Sequence, residues 1–153
     1  MTNFELIKNF EGFSAKAYYC PAGVLTIGYG TTHYANGKSV KPDDTITEEQ
    51  AEKELKSEVD KISAALALKV HTWKLLNDNQ KEAVISFAYN FGPAFYGRPG
   101  FGSISKLLRT SADWVDAAEV RRVFGLYCKA NGKILLGLEK RRLAEANLFL
   151  GLS

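Results

Sequence analysis

The run Glu11-Gly12, then Ala17-Tyr18-Tyr19-Cys20-Pro21-Ala22-Gly23, then Leu25-Thr26-Ile27-Gly28-Tyr29-Gly30 decides how this chain is read. It presents a carboxylic acid, a thiol and a hydroxyl in that order, with eight residues between the first two and five between the last two. Helical periodicity precedes the acid. Short β-prone segments cut by Gly and Pro follow it. An acid at such a junction can look into a cleft, so the stretch reads as a catalytic site and the rest as its scaffold.

Upstream, Thr2-x-x-Glu5 is a capping box that launches a short helix through about Phe10. Phe4, Ile7 and Glu11 recur at i, i+3 and i+7, so Glu11 continues an apolar stripe. It also falls in the last turn, at the negative end of the helix dipole, with Gly12 as C-cap. Both conditions favour the protonated carboxyl, which is the form a general acid needs.

Downstream, residues 16–34 read as a small antiparallel sheet with a tight turn near Gly23. Gly23, Gly28 and Gly30 supply left-handed turns or close approach. Asn36-Gly37 marks a further hairpin or loop, and residues 40–46 form a loop that turns at Pro42-Asp43-Asp44. Thr47-x-x-Gln50 is a second capping box, and Ala51, Leu55, Val59, Ile62 and Leu66 behind it predict a long amphipathic helix to about Ala67.

Asn77 or Asp78 caps a nearly all-apolar helix carrying Ala83, Val84, Phe87, Ala88 and Phe91, which stops at Gly92-Pro93. Residues 92–102 read as an irregular loop rich in Gly and aromatics. Helices over 104–109, 112–126 and 138–150 complete an all-helical second lobe. In the last of them Leu143 is expected inside and Lys140, Arg141 and Arg142 outside. The fold class is α+β. The 153 residues make one domain, with lobes over about 1–46 and 69–153 joined by a helix over about 47–68.

Composition narrows the function classes. Hydrophobic content is 46% and charged content 24%, ordinary for a globular chain. No apolar run approaches a membrane span, and residues 1–8 carry no secretory pattern, so the chain is expected to begin in a cytoplasm. Cys20 and Cys128 have 107 residues between them, without a disulfide framework, and His33 and His71 lack zinc spacing, so neither metal nor cofactor is expected. Cys128 reads as a small buried hydrophobe. Residues 1–68 hold 7 Lys/Arg against 10 Asp/Glu, whereas residues 69–153 hold 13 against 7. That basic part suits an anionic polymer. It carries no nucleic-acid motif, so a solvated face is the expectation.

On chemistry alone, an acid beside a thiol and a hydroxyl suggests acid-catalysed cleavage with a water held opposite, as in glycoside hydrolysis. A Cys–His protease would need His33 or His71 to fold against Cys20. At its ordinary pKa of ~8.5 a thiol is a poor base at pH 7. Cys20 can take that role only if a neighbour lowers the value; otherwise it positions water.

The run Glu11-Gly-x4-Ala17-Tyr18-x-Cys20-Pro21-Ala22-Gly23-Val24-x-Thr26-Ile27-Gly28-Tyr29-Gly30 resembles the signature of the phage-type lysozymes, the endolysins of glycoside hydrolase family 24. Thr47-Glu-Glu-Gln-Ala51 resembles the start of that family's connecting helix. Gln80-x-x-Ala83-Val84-x-Ser86-Phe87-x-Tyr89-Asn90-x-Gly92 resembles its central helix, and Gly137-Leu138-x-x-Arg141-Arg142-x-Ala144-Glu145 its C-terminal helix. Thr31 departs from the family, which usually has His after Gly-Tyr-Gly.

The resemblance implies a lysozyme-like fold and hydrolysis of the β-1,4 bond between N-acetylmuramic acid and N-acetylglucosamine in peptidoglycan. It makes Glu11 the general acid, Cys20 the counterpart of a residue that is Asp in many members and Cys in others, and Thr26 the holder of the attacking water. Gly30 and Thr32 border the glycan groove, and Tyr89 and Asn90 at the end of the central helix add sugar contacts. The implied protein is a monomer without a cofactor, held in the host cytoplasm until lysis releases it to the wall. Its basic part would contact anionic wall or outer-membrane lipid. Two other readings stay open: an antibacterial effector or tail-associated wall hydrolase, and a glycan-binding module whose catalysis is impaired at Cys20.

Overall fold

The first helix, α1 (Glu5–Glu11), ends where a left-handed residue follows it: Gly12 has φ +72° and its N–H bonds the Lys8 carbonyl at 2.9 Å. The computed structural model describes residues 4–152. The Thr2 capping position lies outside the described residues. The described residues divide into two compact units, residues 7–61 and residues 62–152 with residues 4–6.

In the first unit, β1 (Ser14–Tyr19) and β2 (Leu25–Gly28) pair antiparallel, with Tyr18 opposite Thr26 and Tyr19 opposite Leu25. The turn between them is closed by Cys20 N–H to the Val24 carbonyl at 2.9 Å and Gly23 N–H to the Cys20 carbonyl at 2.8 Å. Asn36-Gly37 forms the expected second turn, with Tyr34 N–H bonding the Lys38 carbonyl at 2.9 Å. The loop after it is pinned by Asp44, which accepts from the Tyr34 hydroxyl at 2.7 Å and from Lys41 N–H at 2.9 Å. Burial and the Asp44 carboxylate push the Tyr34 phenol up to about 12.

The long helix α2 (Glu48–Lys69) starts from a reciprocal cap: Gln50 N–H to Thr47 Oγ1 at 3.1 Å and Thr47 N–H to Gln50 Oε1 at 2.9 Å. Ala51, Leu55, Val59, Ile62 and Leu66 are all buried, as their spacing predicts. Tyr29, just past β2, reaches Glu48 of α2 at 3.2 Å, and Lys8 of α1 pairs with Glu52 at 2.9 Å.

In the second unit, α3 (Asp78–Phe91) is capped by Asn77, which exchanges hydrogen bonds with Gln80. It is followed by α4 (Gly102–Arg109), α5 (Ala117–Gly125), the two-residue strands β3 (Lys129–Ala130) and β4 (Lys133–Ile134), and α6 (Leu136–Phe149). The helix expected over 112–126 begins later, because Asp116 caps it by accepting from Glu119 N–H at 3.1 Å. The unit is not all-helical. A hairpin turns at Asn131-Gly132, whose φ values of +52° and +77° suit a tight primed turn. Loop 92–102 is anchored to the core by Phe95, which is fully buried against Phe87, ring centroids 4.9 Å apart.

The largest correction concerns α6. Arg141 and Arg142, expected outside, are buried, while Leu143 is half-exposed. The reason is pairing with Glu145, itself fully buried. Arg142 Nη2 donates to Glu145 Oε2 at 2.8 Å, and its Nε stands 2.6 Å from Oε1, an ion pair whose N–H does not point along a hydrogen-bond line. The Ser86 hydroxyl of α3 donates to Glu145 Oε2 at 2.6 Å, and Arg141 Nη2 donates to the Ser86 carbonyl at 3.2 Å. The Arg142 guanidinium also lies 4.9 Å from the Phe87 ring and 4.8 Å from that of Phe91. Burial pushes Glu145 up and Arg142 down, and their mutual attraction opposes both shifts.

A buried pair of this kind is costly to half-remove. Arg142→Met or Glu145→Gln alone should cost about 3–5 kcal/mol in urea unfolding, and replacing the whole set, Arg141→Met, Arg142→Met and Glu145→Leu, should recover much of it.

Candidate active site

Glu11 ends α1 half-buried, with its carboxylate against the backbone of Gly30. A methyl group added at Gly30 would sit 2.6 Å from Glu11 Oε1 and 3.1 Å from its carboxyl carbon. Gly30 has φ +82°, a conformation side chains rarely adopt. The turn after β2 therefore admits the carboxylate only because position 30 has no Cβ. Glu11 also lines an open cavity of about 290 Å³ with Gly12, Phe13, Ser14 and Tyr18. The sequence stripe is thus only partly realised: Ile7 is buried, but Glu11 faces the cavity.

Cys20 and Thr26 are brought together by the turn between β1 and β2. The half-buried Cys20 thiol is drawn below its ordinary pKa by hydrogen bonds from the backbone at Val24 and Ala22, with the Thr26 hydroxyl adding to the effect. Thr26 is buried, and its hydroxyl donates to the Val24 carbonyl at 3.0 Å. That hydroxyl has one proton, so it serves Val24 or a thiolate at position 20, one at a time.

Tyr18 connects these groups. Its phenol is pushed up first by burial and then by negative charge on Glu11 and on Cys20, so all three lie within electrostatic reach. Phe13, which also lines the cavity, packs on Tyr29 with ring centroids 5.5 Å apart. Sequence reasoning did not single out Phe13, Ser14 or Tyr18 as site residues. Tyr18 was findable, because strand pairing sets it opposite Thr26; for Phe13 no signal existed.

Thr32 is half-buried, with its hydroxyl 3.2 Å from His33 Nδ1 and its carbonyl accepting from Val40 N–H at 3.1 Å. Tyr89 and Asn90 belong to the second unit, at the end of α3. Asn90 is exposed, and its side-chain oxygen accepts from buried Arg142 Nη1 at 3.0 Å. Sequence analysis missed Arg142 behind Asn90. Both cysteines are free thiols, and no cluster of metal-ligating side chains occurs among the described residues. An acid, a thiol and a hydroxyl can between them give a proton, take one and hold a water.

Known proteins include relatives of this chain. Residues 8–145 match the family described as phage lysozyme. The chain is 36% identical over 146 residues to an endolysin of Acyrthosiphon pisum secondary endosymbiont phage 1, covering 94% of this chain and 92% of that protein. It is 37% identical over 150 residues to an endolysin of Bacillus phage PZA, where it spans 94% of its own length but only 52% of the relative's. Among solved structures, the endolysin from Escherichia coli O157:H7 phage FAHEc1 superposes with a TM-score of 0.77 at 32% identity, covering 97% of this chain and 90% of that one. With the match running from α1 into α6, this chain belongs to the phage lysozyme family of glycoside hydrolases, endolysin muramidases whose substrate is peptidoglycan.

Proposed function

We infer that Glu11, Cys20 and Thr26 carry the muramidase reaction, and the Glu11 carboxylate held against the Gly30 backbone is the observation that supports it most. Glu11 gives its proton to the glycosidic oxygen between N-acetylmuramic acid and N-acetylglucosamine as that bond breaks. Water adds to the sugar carbon while the Cys20 thiolate takes its proton, and the Thr26 oxygen holds the water. Proton return from thiol to carboxylate through solvent resets the site. Gly30 and Thr32 border the glycan. Tyr89 offers a ring for stacking and Asn90 an amide for an acetamido group.

A thiol held toward its ionised form supports catalysis over a glycan-binding module impaired at position 20. The working unit in this reading is one lysozyme-like domain, with lobes over about 1–46 and 69–153 and a connecting helix over about 47–68, acting as a monomer. It waits in the host cytoplasm and meets the wall when the membrane is breached. No helix among the described residues is long and apolar enough to cross a membrane.

The direct test is release of new reducing ends from purified peptidoglycan. Glu11→Gln should lower it by about 10²-fold or more while leaving wall pelleting intact. Cys20→Ala should lose about 10²–10⁴-fold, and unchanged activity would remove the thiol from the mechanism. The rate should fall as pH drops through the depressed thiol pKa, because the thiolate is then consumed. Cys20→Asp, with a carboxyl near ~3.9, should carry that acid limb to lower pH. Gly30→Ala should cost about 1–3 kcal/mol in stability from backbone strain. By displacing Glu11, it should also lower turnover by about 10²-fold.

A further inference from the structure

The buried cluster between α3 and α6 has one limb that ends at the surface. Arg142 is fully buried, and several contacts fix its guanidinium. Nη2 donates to Glu145 Oε2 at 2.8 Å, Nε stands 2.6 Å from Oε1, and the group lies 4.9 Å from the Phe87 ring and 4.8 Å from that of Phe91. A guanidinium is planar and rigid, so these contacts also set where Nη1 lies. Nη1 donates to Asn90 Oδ1 at 3.0 Å and reaches the Tyr127 carbonyl at 3.5 Å. Asn90, the penultimate residue of α3, is exposed. A guanidinium donates five N–H groups and accepts none, so the amide atom that meets it has to be the oxygen. The reversed amide would set N–H against N–H beside a fixed cation and lose a charge-assisted bond. Asn90 Nδ2 meets no other hydrogen-bonding group among the described residues, so its two N–H groups stay available to a ligand.

We propose that Arg142 is a positioning residue that makes the exposed Asn90 amide a donor only, so that this point selects the carbonyl oxygen of an acetamido group on the glycan. The proposal rests on the reading of Asn90 as a sugar contact and adds to it a direction and a cause. An unanchored Asn side chain turns either way and offers a ligand N–H or oxygen alike. Against a sugar hydroxyl, which both donates and accepts, holding the amide in one sense gains nothing. An amide carbonyl only accepts, so it is the group that a fixed donor distinguishes. An amine in its place, protonated to an ammonium, would bring N–H groups against N–H groups and be rejected, because an unmatched polar group at a contact costs more than a matched one contributes. Burial of Arg142 serves this role: its partners hold the fork still, and no water competes from behind.

The test is the kinetics of reducing-end release from soluble, uncrosslinked peptidoglycan strands, and from the same strands after chemical N-deacetylation, with the amines protonated. On acetylated strands Asn90→Ala should raise KM about fivefold to tenfold, with the effect in KM and not in kcat. Asn90→Asp keeps an acceptor for Arg142 but has no N–H, so it should hold the melting temperature and raise KM further than alanine does. On deacetylated strands the order should invert, Asn90→Asp giving a lower KM than the unchanged chain, because an ammonium donates. Arg142→Lys releases the amide to turn. It should raise KM when Asn90 is present and leave KM unaltered when Asn90→Ala is already in place, a coupling that lost stability alone does not produce. Should the lysine variant fail to fold, the Asn90 series decides. Equal KM for Asn90→Ala and the unchanged chain removes Asn90 from the glycan contacts, and the proposal falls with that reading. A raised KM for alanine with none for aspartate, or the same loss on deacetylated strands, leaves the contact standing and overturns the donor assignment.

Discussion

The space between the Glu11 carboxylate and the Gly30 backbone holds no room for a methyl group, and the first unit is arranged around that closeness. Two separate local devices have to end at the same point for it to occur. The left-handed Gly12 stops α1 with Glu11 as its last residue, and the left-handed Gly30 turns the chain after β2. The Tyr29–Glu48 and Lys8–Glu52 contacts tie both ends to α2, so the approach is held from outside the site as well. A carboxyl positioned by backbone geometry loses little freedom when substrate arrives, which is the condition under which orientation contributes to rate.

The thiol at position 20 shows how a residue's chemistry depends on the turn it occupies. As a free side chain Cys would be the weakest member of the acid, thiol and hydroxyl set. Donors from Val24 and Ala22, with the Thr26 hydroxyl, change that by favouring the charged sulfur. The Pro21-Ala22-Gly23 turn is therefore part of the chemistry and not only a connection between strands. Tyr18 senses the charge of both Glu11 and Cys20.

The second unit solves a different problem. Glu145, Arg142 and Arg141 lie in its interior, where lone charges would be prohibitive. One carboxylate shared between two guanidinium groups and a serine hydroxyl keeps each charge partnered, and the adjacent rings of Phe87 and Phe91 both lie beside one of the cations. The cluster fixes α6 on α3 with directional bonds, and it reaches the surface through the Arg142 contact to Asn90.

Local signals were legible wherever structure follows from nearest neighbours in the chain. The reciprocal caps at Thr47 and Asn77, the stripe from Ala51 to Leu66, the Gly12 stop and the sheet between Ser14 and Gly28 could each be read from spacing and residue type, because each is satisfied within a few residues. The Asn131-Gly132 hairpin was equally local and could have been read the same way. Periodicity misplaced Arg141, Arg142 and Leu143, since a hydropathy pattern assigns charge to water and cannot register a buried partner 55 residues away in Ser86. The sequence by itself determined the elements, the family and the order acid, thiol, hydroxyl. Tertiary structure alone decided that Glu11 rests on Gly30, that Cys20 is drawn toward its thiolate, and that two arginines lie inside, because each depends on groups that only folding brings within hydrogen-bonding distance.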